Sequence, residues 1–270
     1  MNKSRQTLTV VTMGVVCCGM AYSSRAQSTT IIHETFTAPN GTLLNGLTPD
    51  QADYPGTKWT DGTYYNPQIQ NNVLNIGADT GATLSLASAG AYVKPAALTE
   101  SVTFKINTDT YYGVGIGFSS GAVTNGIAYH SVFTGFNVSG SGTLSLQSAG
   151  SVLGSVAWSG SSAFSASQFY TLSYSLNTAN GSVSGIALTG STANYSPLVT
   201  DALNNNVFSV AHTADVEIWG QGGSGGNQAL FSNVSVATTA AVSPAPEPGT
   251  LALGGVGLAG LLAARRRNGK

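Results

Sequence analysis

The chain has 270 residues, of which 8% are charged, and its formal net charge is −1 at pH 7. Most of its bases lie near the two ends, so residues 27–245 hold three lysines against ten carboxylates, a net charge of −7. This sign excludes a nucleic-acid-binding protein, which would present a basic surface to phosphate. The scarcity of charge also disfavours helices, whose exposed face needs Glu, Lys and Arg. With 34 glycines, the composition favours short strands joined by tight turns.

The N-terminus has the pattern of a secretory signal peptide. Two basic residues precede an apolar run over residues 8–22, and small residues follow at the two positions that signal peptidase reads. We expect cleavage between Ala26 and Gln27, which makes residues 1–26 the signal peptide. Both cysteines lie within it, so the mature body has no cysteine and must be held together by its core.

The body consists of short apolar segments, many of them with the period of two that is typical of β-strands. The predicted strands cover residues 30–36, 68–76, 98–107, 112–119, 129–138, 142–147, 151–158, 169–176, 181–188, 207–210, 214–219 and 229–236. Regular spacing with turn signals between strands favours a sandwich over βαβ units. The sequence therefore predicts an all-β fold, a two-sheet antiparallel β-sandwich over residues 27–238.

Two strands carry additional signals. The segments 169–176 and 181–188 are joined through Asn180-Gly181, a strong hairpin signal. In the strand 112–119, Gly113, Gly115 and Gly117 share one face, opposite the apolar face. Such a bare face admits another backbone, a ligand or a large aromatic ring. We favour packing against bulky neighbours in the same sheet.

The two ends of the body resemble a known group of folds. Phe36, the segment 41–46, Asp50 and Trp59 at the start, and the strand 229–236 at the end, are similar to the first and last strands of concanavalin A-like, laminin-G-like jelly rolls. The resemblance implies a jelly-roll sandwich, and members of that group often bind carbohydrate on a concave face.

The last residues form three consecutive parts. Residues 239–248 are a Pro-rich linker, residues 249–264 are apolar, and residues 265–270 are basic. The apolar part would give about 24 Å of helix, enough for a short transmembrane segment. The basic part would hold its end in the cytoplasm.

This tail resembles the PEP-CTERM sorting signal of Gram-negative bacteria. The matching residues are Pro246, Glu247, Pro248, Arg265, Arg266 and Arg267. The resemblance implies that a membrane-embedded exosortase removes the helix and delivers the body to the cell surface or extracellular matrix. The alternative is an ordinary tail anchor with a Pro-rich stem.

The sequence predicts no catalytic residues. Glycosidases of this fold carry three carboxylates on one strand, whereas here Asp215 and Glu217 stand alone, with Trp219 beside them. We interpret this pair as part of a solvated strand face. Ser224 lies in a Gly-rich stretch that matches the letters of a nucleophile elbow, but no helix is predicted after it.

No metal or other cofactor is predicted either. Calcium would find carboxylates in the early loop, but without a defined ligand spacing we favour turn-forming aspartates. The three histidines lie far apart without the spacing of metal ligands. The residues considered are Asp50, Asp53, Asp61, His33, His130 and His212.

The remaining candidates are aromatic residues that would stack on sugar rings. They are Trp59, Tyr64, Tyr65, Tyr112 and Trp219. The sequence thus predicts an exported, exosortase-sorted, non-catalytic surface protein associated with exopolysaccharide. Its expected partners are signal peptidase, exosortase and, before processing, the membrane. The alternatives are a glycoside hydrolase or lyase on the same fold, and a purely structural coat protein without a ligand.

Overall fold

Short strands dominate the structure, as the composition predicts. The computed structural model describes residues 28–53, 56–62, 66–77, 80–86, 96–106, 113–120, 132–157, 167–190, 198–199, 203, 207–221 and 229–239, all of which belong to one unit, Ala26–Ala241. Its strands are β1 Ser28–Glu34, β2 Gln51–Ala52, β3 Trp59–Asp61, β4 Gln68–Gln70, β5 Val73–Ile76, β6 Thr80–Ser85, β7 Ala97–Ile106, β8 Gly113–Ser119, β9 Phe133–Ser139, β10 Thr143–Ser148, β11 Ser151–Ala157, β12 Tyr170–Asn177, β13 Val183–Gly190, β14 Leu198–Val199, β15 Asp215–Gln221 and β16 Ala229–Thr239.

The strands of this described part form two sheets. The nine-stranded sheet has the order β14-β13-β12-β7-β16-β1-β2, with β5 also paired to β16 and β4 paired to β5. The seven-stranded sheet has the order β11-β10-β9-β8-β15-β6-β3. The neighbours in both sheets pair antiparallel, for example β7 with β16 and β8 with β15. The predicted two-sheet antiparallel sandwich is confirmed.

The core between the sheets is formed by every second side chain of the strands that face it. In β7 every second residue from Leu98 to Ile106 is buried, and the residues between them are partly exposed. The seven-stranded sheet contributes Val114, Ile116 and Phe118 from the core-facing side of β8. Burying such side chains contributes roughly 1.5–3 kcal/mol each, so a body without disulfides has a sufficient source of stability.

The hairpin predicted at Asn180-Gly181 is confirmed. The Asn180 side chain accepts a hydrogen bond from the backbone N–H of Ser182 at 3.0 Å. Gly181 has φ +77°, and a Cβ there would lie 2.1 Å from the carbonyl oxygen of Phe208. Glycine is therefore required here both by the turn and by the close approach of a second segment.

Two predicted strands differ from the structure. The predicted strand 68–76 is the tight hairpin β4–β5, because Asn71 and Asn72 both have positive φ, 54° and 59°, as a type I′ turn requires. The predicted strand 207–210 forms a single bridge from Val207 to Ser182 and then a 3₁₀ turn, Val210–His212.

Four strands were missed: β2, β3 and β14, which have only two or three residues each, and β6, which does not alternate. Five of the six residues of β6 are buried, so neither face is exposed and the sequence shows no alternation between polar and apolar residues.

The predicted processing segments fall outside the described residues. These are the signal peptide 1–26, the linker from residue 240 onward, the apolar segment 249–264 and the basic end 265–270. Within the described residues, no helix has the length and apolar character needed to cross a membrane.

Candidate functional site on the outer face of the seven-stranded sheet

The alternation of β15 separates two sets of side chains. Val216 and Ile218 point into the core between the sheets. Asp215, Glu217 and Trp219 therefore point to the opposite side, which we call the outer face. Trp219 belongs to a small apolar cluster with Phe133, distinct from the main core.

The register of the sheet places glycines beside Glu217 and Trp219. Glu217 is opposite Gly117 on β8, and Gly117 is opposite Gly135 on β9. One row away, Trp219 is opposite Gly115, which is in turn opposite Asn137 (β9). Adjacent strands lie about 4.8 Å apart, so each row brings residues from three strands together.

The aromatic rings lie over these glycines. A Cβ on Gly115 would be 1.7 Å from Cε2 of Trp219, so the indole ring lies directly across the glycine. A Cβ on Gly135 would be 2.6 Å from Cζ of Phe133. The Phe133 and Trp219 rings meet edge to face, with centroids 6.0 Å apart at 71°. The expectation that the glycine face accommodates bulky neighbours of the same sheet is confirmed.

Glu217 is not part of a solvated face, and this corrects the sequence-based interpretation. Its side chain is 0% exposed. The pKa of Glu217 is raised to about 8, mainly by burial; the Ser119 hydroxyl offsets part of this effect and the nearby Asp215 adds to it. Burial also raises the pKa of Asp215, although the Ser85 hydroxyl offsets part of that effect. The flanking glycines and aromatic rings make this strand face far less hydrated than two carboxylates would suggest.

Several buried polar atoms of this face have no hydrogen-bond partner within the described residues. They are both carboxyl oxygens of Glu217, Nε1 of Trp219 and Oδ1 of Asn137. The Ser119 hydroxyl nevertheless interacts with Glu217, since it lowers the pKa of that carboxyl. A buried polar group without a partner costs about 1–3 kcal/mol. Four such atoms, three on β15 and one on β9, therefore mark the outer face as the candidate functional site.

Trp59 lies elsewhere and is not available to a sugar. It is fully buried, its ring centroid is 6.1 Å from that of Phe36, and its Nε1 donates to Glu34 at 3.2 Å. The backbone N–H of Phe36 donates to the same carboxylate at 2.7 Å. Trp59 therefore stabilises the first loop rather than presenting a face to a ligand. The other aromatic candidates besides Trp219, namely Tyr64, Tyr65 and Tyr112, lie outside the described residues.

One of the aspartates of the early loop, Asp50, has a structural role. The Asp50 carboxylate accepts hydrogen bonds from the backbone N–H of Thr35 at 2.9 Å and from the Thr35 hydroxyl. Asp61 is half-buried, which raises its pKa. Among the residues that the structure describes, no three His, Cys, Asp or Glu side chains lie together as a metal site would need.

The two histidines that the structure describes, His33 and His212, lie on different elements. Nδ1 of His212 is 2.7 Å from the Ser120 hydroxyl, and His33 is half-buried on β1. His130 lies outside the described residues.

Besides Glu217 and Glu34, a third carboxyl is buried that sequence reasoning missed, Glu100 on β7. It faces the main core, where the Tyr174 hydroxyl donates to it, and burial raises its pKa to about 8. The sequence does indicate this burial. Side chains two residues apart on a strand lie on the same face, so Glu100 shares the face of the apolar residues Val102, Phe104 and Ile106. Asn137 and Phe133 had no comparable signal, since the pairing of β8 with β9 is what brings them to the site.

The comparisons with known proteins concern the fold and the tail. No curated protein sequence matches the chain. Similar solved structures include the lectin UEA-II complexed with galactose, at 9% identity and a TM-score of 0.46, covering 74% of this chain and 98% of the lectin. Arcelin-5, a lectin-like defence protein from Phaseolus vulgaris, is 8% identical with a TM-score of 0.46, covering 79% and 99%. A protein of unknown function from Shewanella oneidensis MR-1 is 13% identical with a TM-score of 0.48, covering 87% and 99%.

The tail gives the functional assignment that the fold does not. Residues 244–267 match the PEP-CTERM protein-sorting motif, which confirms the resemblance seen in the sequence. This motif marks export and membrane-anchored sorting in Gram-negative bacteria. The chain therefore carries an exosortase sorting signal and is an exported protein.

Proposed function

We propose that the body is a non-catalytic sandwich that associates with exopolysaccharide at the cell surface or in the extracellular matrix. The observation that supports the proposal is the sorting motif at residues 244–267, which marks export and sorting. Sorting to the cell surface would bring the body to where such polymers accumulate. If the proposal is correct, the body has a surface that binds sugars and lacks the catalytic groups that would cleave them.

The composition of the body supports contact with carbohydrate. Hydroxyl and amide side chains replace charges over most of its length, and they can both donate to and accept from sugar hydroxyls. The net charge of −7 over residues 27–245 would repel polyanionic polymers, so a neutral polysaccharide is the better partner.

The arrangement of the outer face supports a non-catalytic role. A glycosidase places two carboxyl groups on either side of the scissile bond. Asp215 and Glu217 instead lie next to one another on one strand. The neighbouring outer-face positions of β8 that pair with them are Gly117 and Ser119, so no carboxylate faces them from that strand.

A hydrolase or lyase is the second candidate, and one observation favours it. Glu217, with a pKa of about 8, would be protonated at neutral pH, as a general acid must be, while Asp215 lies two residues away on the same face. If the body is an enzyme, these two side chains are the ones to test.

The two candidates are separated by one experiment with the full-length protein in detergent and the exopolysaccharide of the producing organism. We expect co-sedimentation with the polymer and no release of reducing ends or unsaturated sugars. Product release that is lost in Glu217→Gln would establish the enzyme instead. Absence of both binding and turnover would leave a structural coat protein.

A further inference from the structure

We propose that one end of the sandwich is a membrane-contacting surface, which lies against the lipid interface while the tail anchors the exported chain. We call it the terminal end, because β1 begins there and β16 finishes there. The inference goes beyond the association with exopolysaccharide and does not depend on it, since it uses only the sorting motif and the geometry of the body.

The two ends of the folded body lie beside each other at this terminal end. Ser28, the first residue of β1, is the register partner of Thr239, the last residue of β16. The predicted signal peptide ends at Ala26, and residues 240–248 connect Thr239 to the apolar segment 249–264. Even a fully extended connection of this length spans only about 35 Å. An apolar segment in the membrane would therefore tether the body by its terminal end.

Exposed apolar side chains concentrate at the same end. Among the described residues, five large apolar side chains are exposed, and Leu43 is the one that lies elsewhere. The other four are Val152, Leu153, Val207 and Val210, which are between 40% and 56% exposed. Single exposed apolar residues are ordinary on a protein surface, whereas a group of them marks a surface that contacts another molecule or a membrane.

Val207 reaches the terminal end through the hairpin between β12 and β13. It forms a bridge with Ser182 at the turn of that hairpin. The strand β12 enters the turn at Asn177, which pairs with Ala97, the first residue of β7, and the next residue of β7 pairs with Thr238. The hairpin turn, and Val207 with it, therefore lies at the end of the sheet where β16 finishes.

The segment 207–214 joins this end of the nine-stranded sheet to the same end of the seven-stranded sheet. The backbone N–H of Ser209 donates to the Ser148 hydroxyl at 2.9 Å. Ser148 pairs with Ser151, the first residue of β11, so Val152 follows directly. The exposed apolar side chains therefore lie on neighbouring segments that hydrogen bonds hold together.

The chemistry of this surface suits lipid rather than a charged partner. The described segments 148–152, 177–182 and 207–214 contain no Asp, Glu, Lys or Arg, so placing them at the lipid interface buries no charge, which would be costly. Their one titratable side chain, His212, has its Nδ1 2.7 Å from the Ser120 hydroxyl. Because the surface has no lysine or arginine to attract anionic headgroups, the contact depends on apolar side chains at the interface.

A second copy of the chain is the less suitable occupant. Within the described part, β11 is an edge strand of the seven-stranded sheet, and an edge strand can pair with another chain. However, its pairing with β10 shifts register between Leu146 and Gln147, so that Leu153 is an extra residue in β11. Such a bulge twists the edge and disfavours further strand pairing. Lipid needs no strand edge.

The contact should be weak by itself and should depend on the tail. A few partly exposed side chains bury less apolar surface than one acyl chain, and a single acyl chain gives only marginal membrane binding. A tether changes this, because it raises the effective concentration of the surface near the lipid to roughly the millimolar range. Removal of the tail should therefore release the body from the membrane.

The test measures which positions of the body reach the lipid. The full chain with Cys17 and Cys18 changed to serine has no other cysteine, so one added cysteine carries a single fluorophore. The protein is reconstituted in vesicles of phosphatidylethanolamine and phosphatidylglycerol, in which part of the lipid carries a quencher near the top of its acyl chains. We expect strong quenching of the labels in Val152→Cys and Val207→Cys.

Leu43→Cys is the matched control, because Leu43 is also exposed but lies toward the opposite end. It bridges to Gln68, which pairs with Asn75, and Asn75 pairs with Leu230 of β16. Along β16, Leu230 lies about 30 Å from Thr239. The Leu43→Cys label should therefore be several-fold less quenched.

Val207→Ser together with Val210→Ser separates apolar contact from tethering alone. The tail still holds this variant at the membrane, but the burial of two half-exposed valine side chains is lost. The docking equilibrium, followed by the Val152→Cys label, should weaken about tenfold. Both positions are exposed, and thermal unfolding in detergent verifies that the variant is folded.

Three outcomes would overturn the proposal. The first is equal quenching of the Val152→Cys and Leu43→Cys labels, a comparison that does not depend on the serine variant. The second is quenching of the Val152→Cys label that the two serine substitutions leave unchanged, which would show tethering without contact. The third is shielding of the label that increases with the ratio of protein to lipid, which would show contact between copies of the chain.

Discussion

The indole ring of Trp219 lies across Gly115 on the neighbouring strand, where even a single added methyl group would overlap it. The glycines at every second position of β8 therefore leave space for a large side chain on the outer face of β15. This contact also explains why the ring is 3% exposed although it points away from the main core.

Replacing Gly115 by alanine should displace the Trp219 ring. A Cβ 1.7 Å from Cε2 cannot be accommodated without moving the side chain, and overpacking of this kind costs about 1–3 kcal/mol. Urea unfolding should show the loss of stability, and the tryptophan emission should shift to longer wavelength. Gly41→Ala is the control, because Gly41 has open space but φ +84°. It should cost about 1 kcal/mol through backbone strain and leave the emission unchanged. An unaltered spectrum in Gly115→Ala would contradict the described ring position.

Stability should fall as the pH rises from about 4.5 to 8. The pKa values of Glu100 and Glu217 are raised to about 8 by burial, against 4.5 in the unfolded chain. Between these values the folded state binds more protons than the unfolded state, so unfolding becomes easier with increasing pH. Below pH 4.5 both carboxyls are protonated in the folded and in the unfolded state, so the stability that their raised pKa values provide is fully present there.

The effect should be on the order of a few kcal/mol for each carboxyl, and thermal unfolding across this pH range measures it. Glu100→Gln and Glu217→Gln should each flatten the profile because the amide does not titrate. Thr60→Ser, at an exposed position, should not alter the slope. A profile that rises toward pH 8 would contradict the burial of both groups.

The fold was predictable from the sequence because it depends on local signals. Alternation in β7 and the Asn180-Gly181 turn each predict an element without knowledge of its neighbours, and both are confirmed. The turn at Asn71-Asn72 was missed although two consecutive asparagines tolerate positive φ, because the residues on either side read as one apolar run.

The candidate site could be predicted only in part. The residues Glu217 and Trp219 stand out on one strand, and the glycines of β8 indicate a bare face. However, the burial of Glu217 follows from which strands flank β15, and Asn137 reaches the site only through the register of β9 against β8. Such non-local pairing leaves no periodic signal in a single sequence.

Tyr174→Phe should destabilise the protein by about 1–3 kcal/mol, because it removes the hydroxyl that donates to the buried Glu100 carboxyl. The ring contacts of Tyr174, including a centroid distance of 4.8 Å to Phe136, would remain. In a Glu100→Met background the same change should cost much less, since no buried carboxyl is left without a partner. Equal costs in the two backgrounds, measured by denaturant unfolding, would show that the Tyr174–Glu100 contact contributes nothing.

Processing of the tail should depend on Glu247. Because proline cannot continue a strand or enter a helix interior, we expect the prolines around it to keep the linker extended, so that a membrane enzyme can reach it. A carboxylate is costly to bury in lipid, whereas the arginines at residues 265–267 resist translocation. Together they would hold the motif, which matches over residues 244–267, at a fixed depth beside the outer surface of the membrane.

We expect the mature surface protein to lack the chain from about Gly249 onward, and Glu247→Gln to accumulate unprocessed. Ser243→Ala, just outside the motif, should be processed normally. Mass spectrometry of the surface fraction decides the matter, since intact peptides from residues 251–270 in the mature pool would make the tail a permanent anchor.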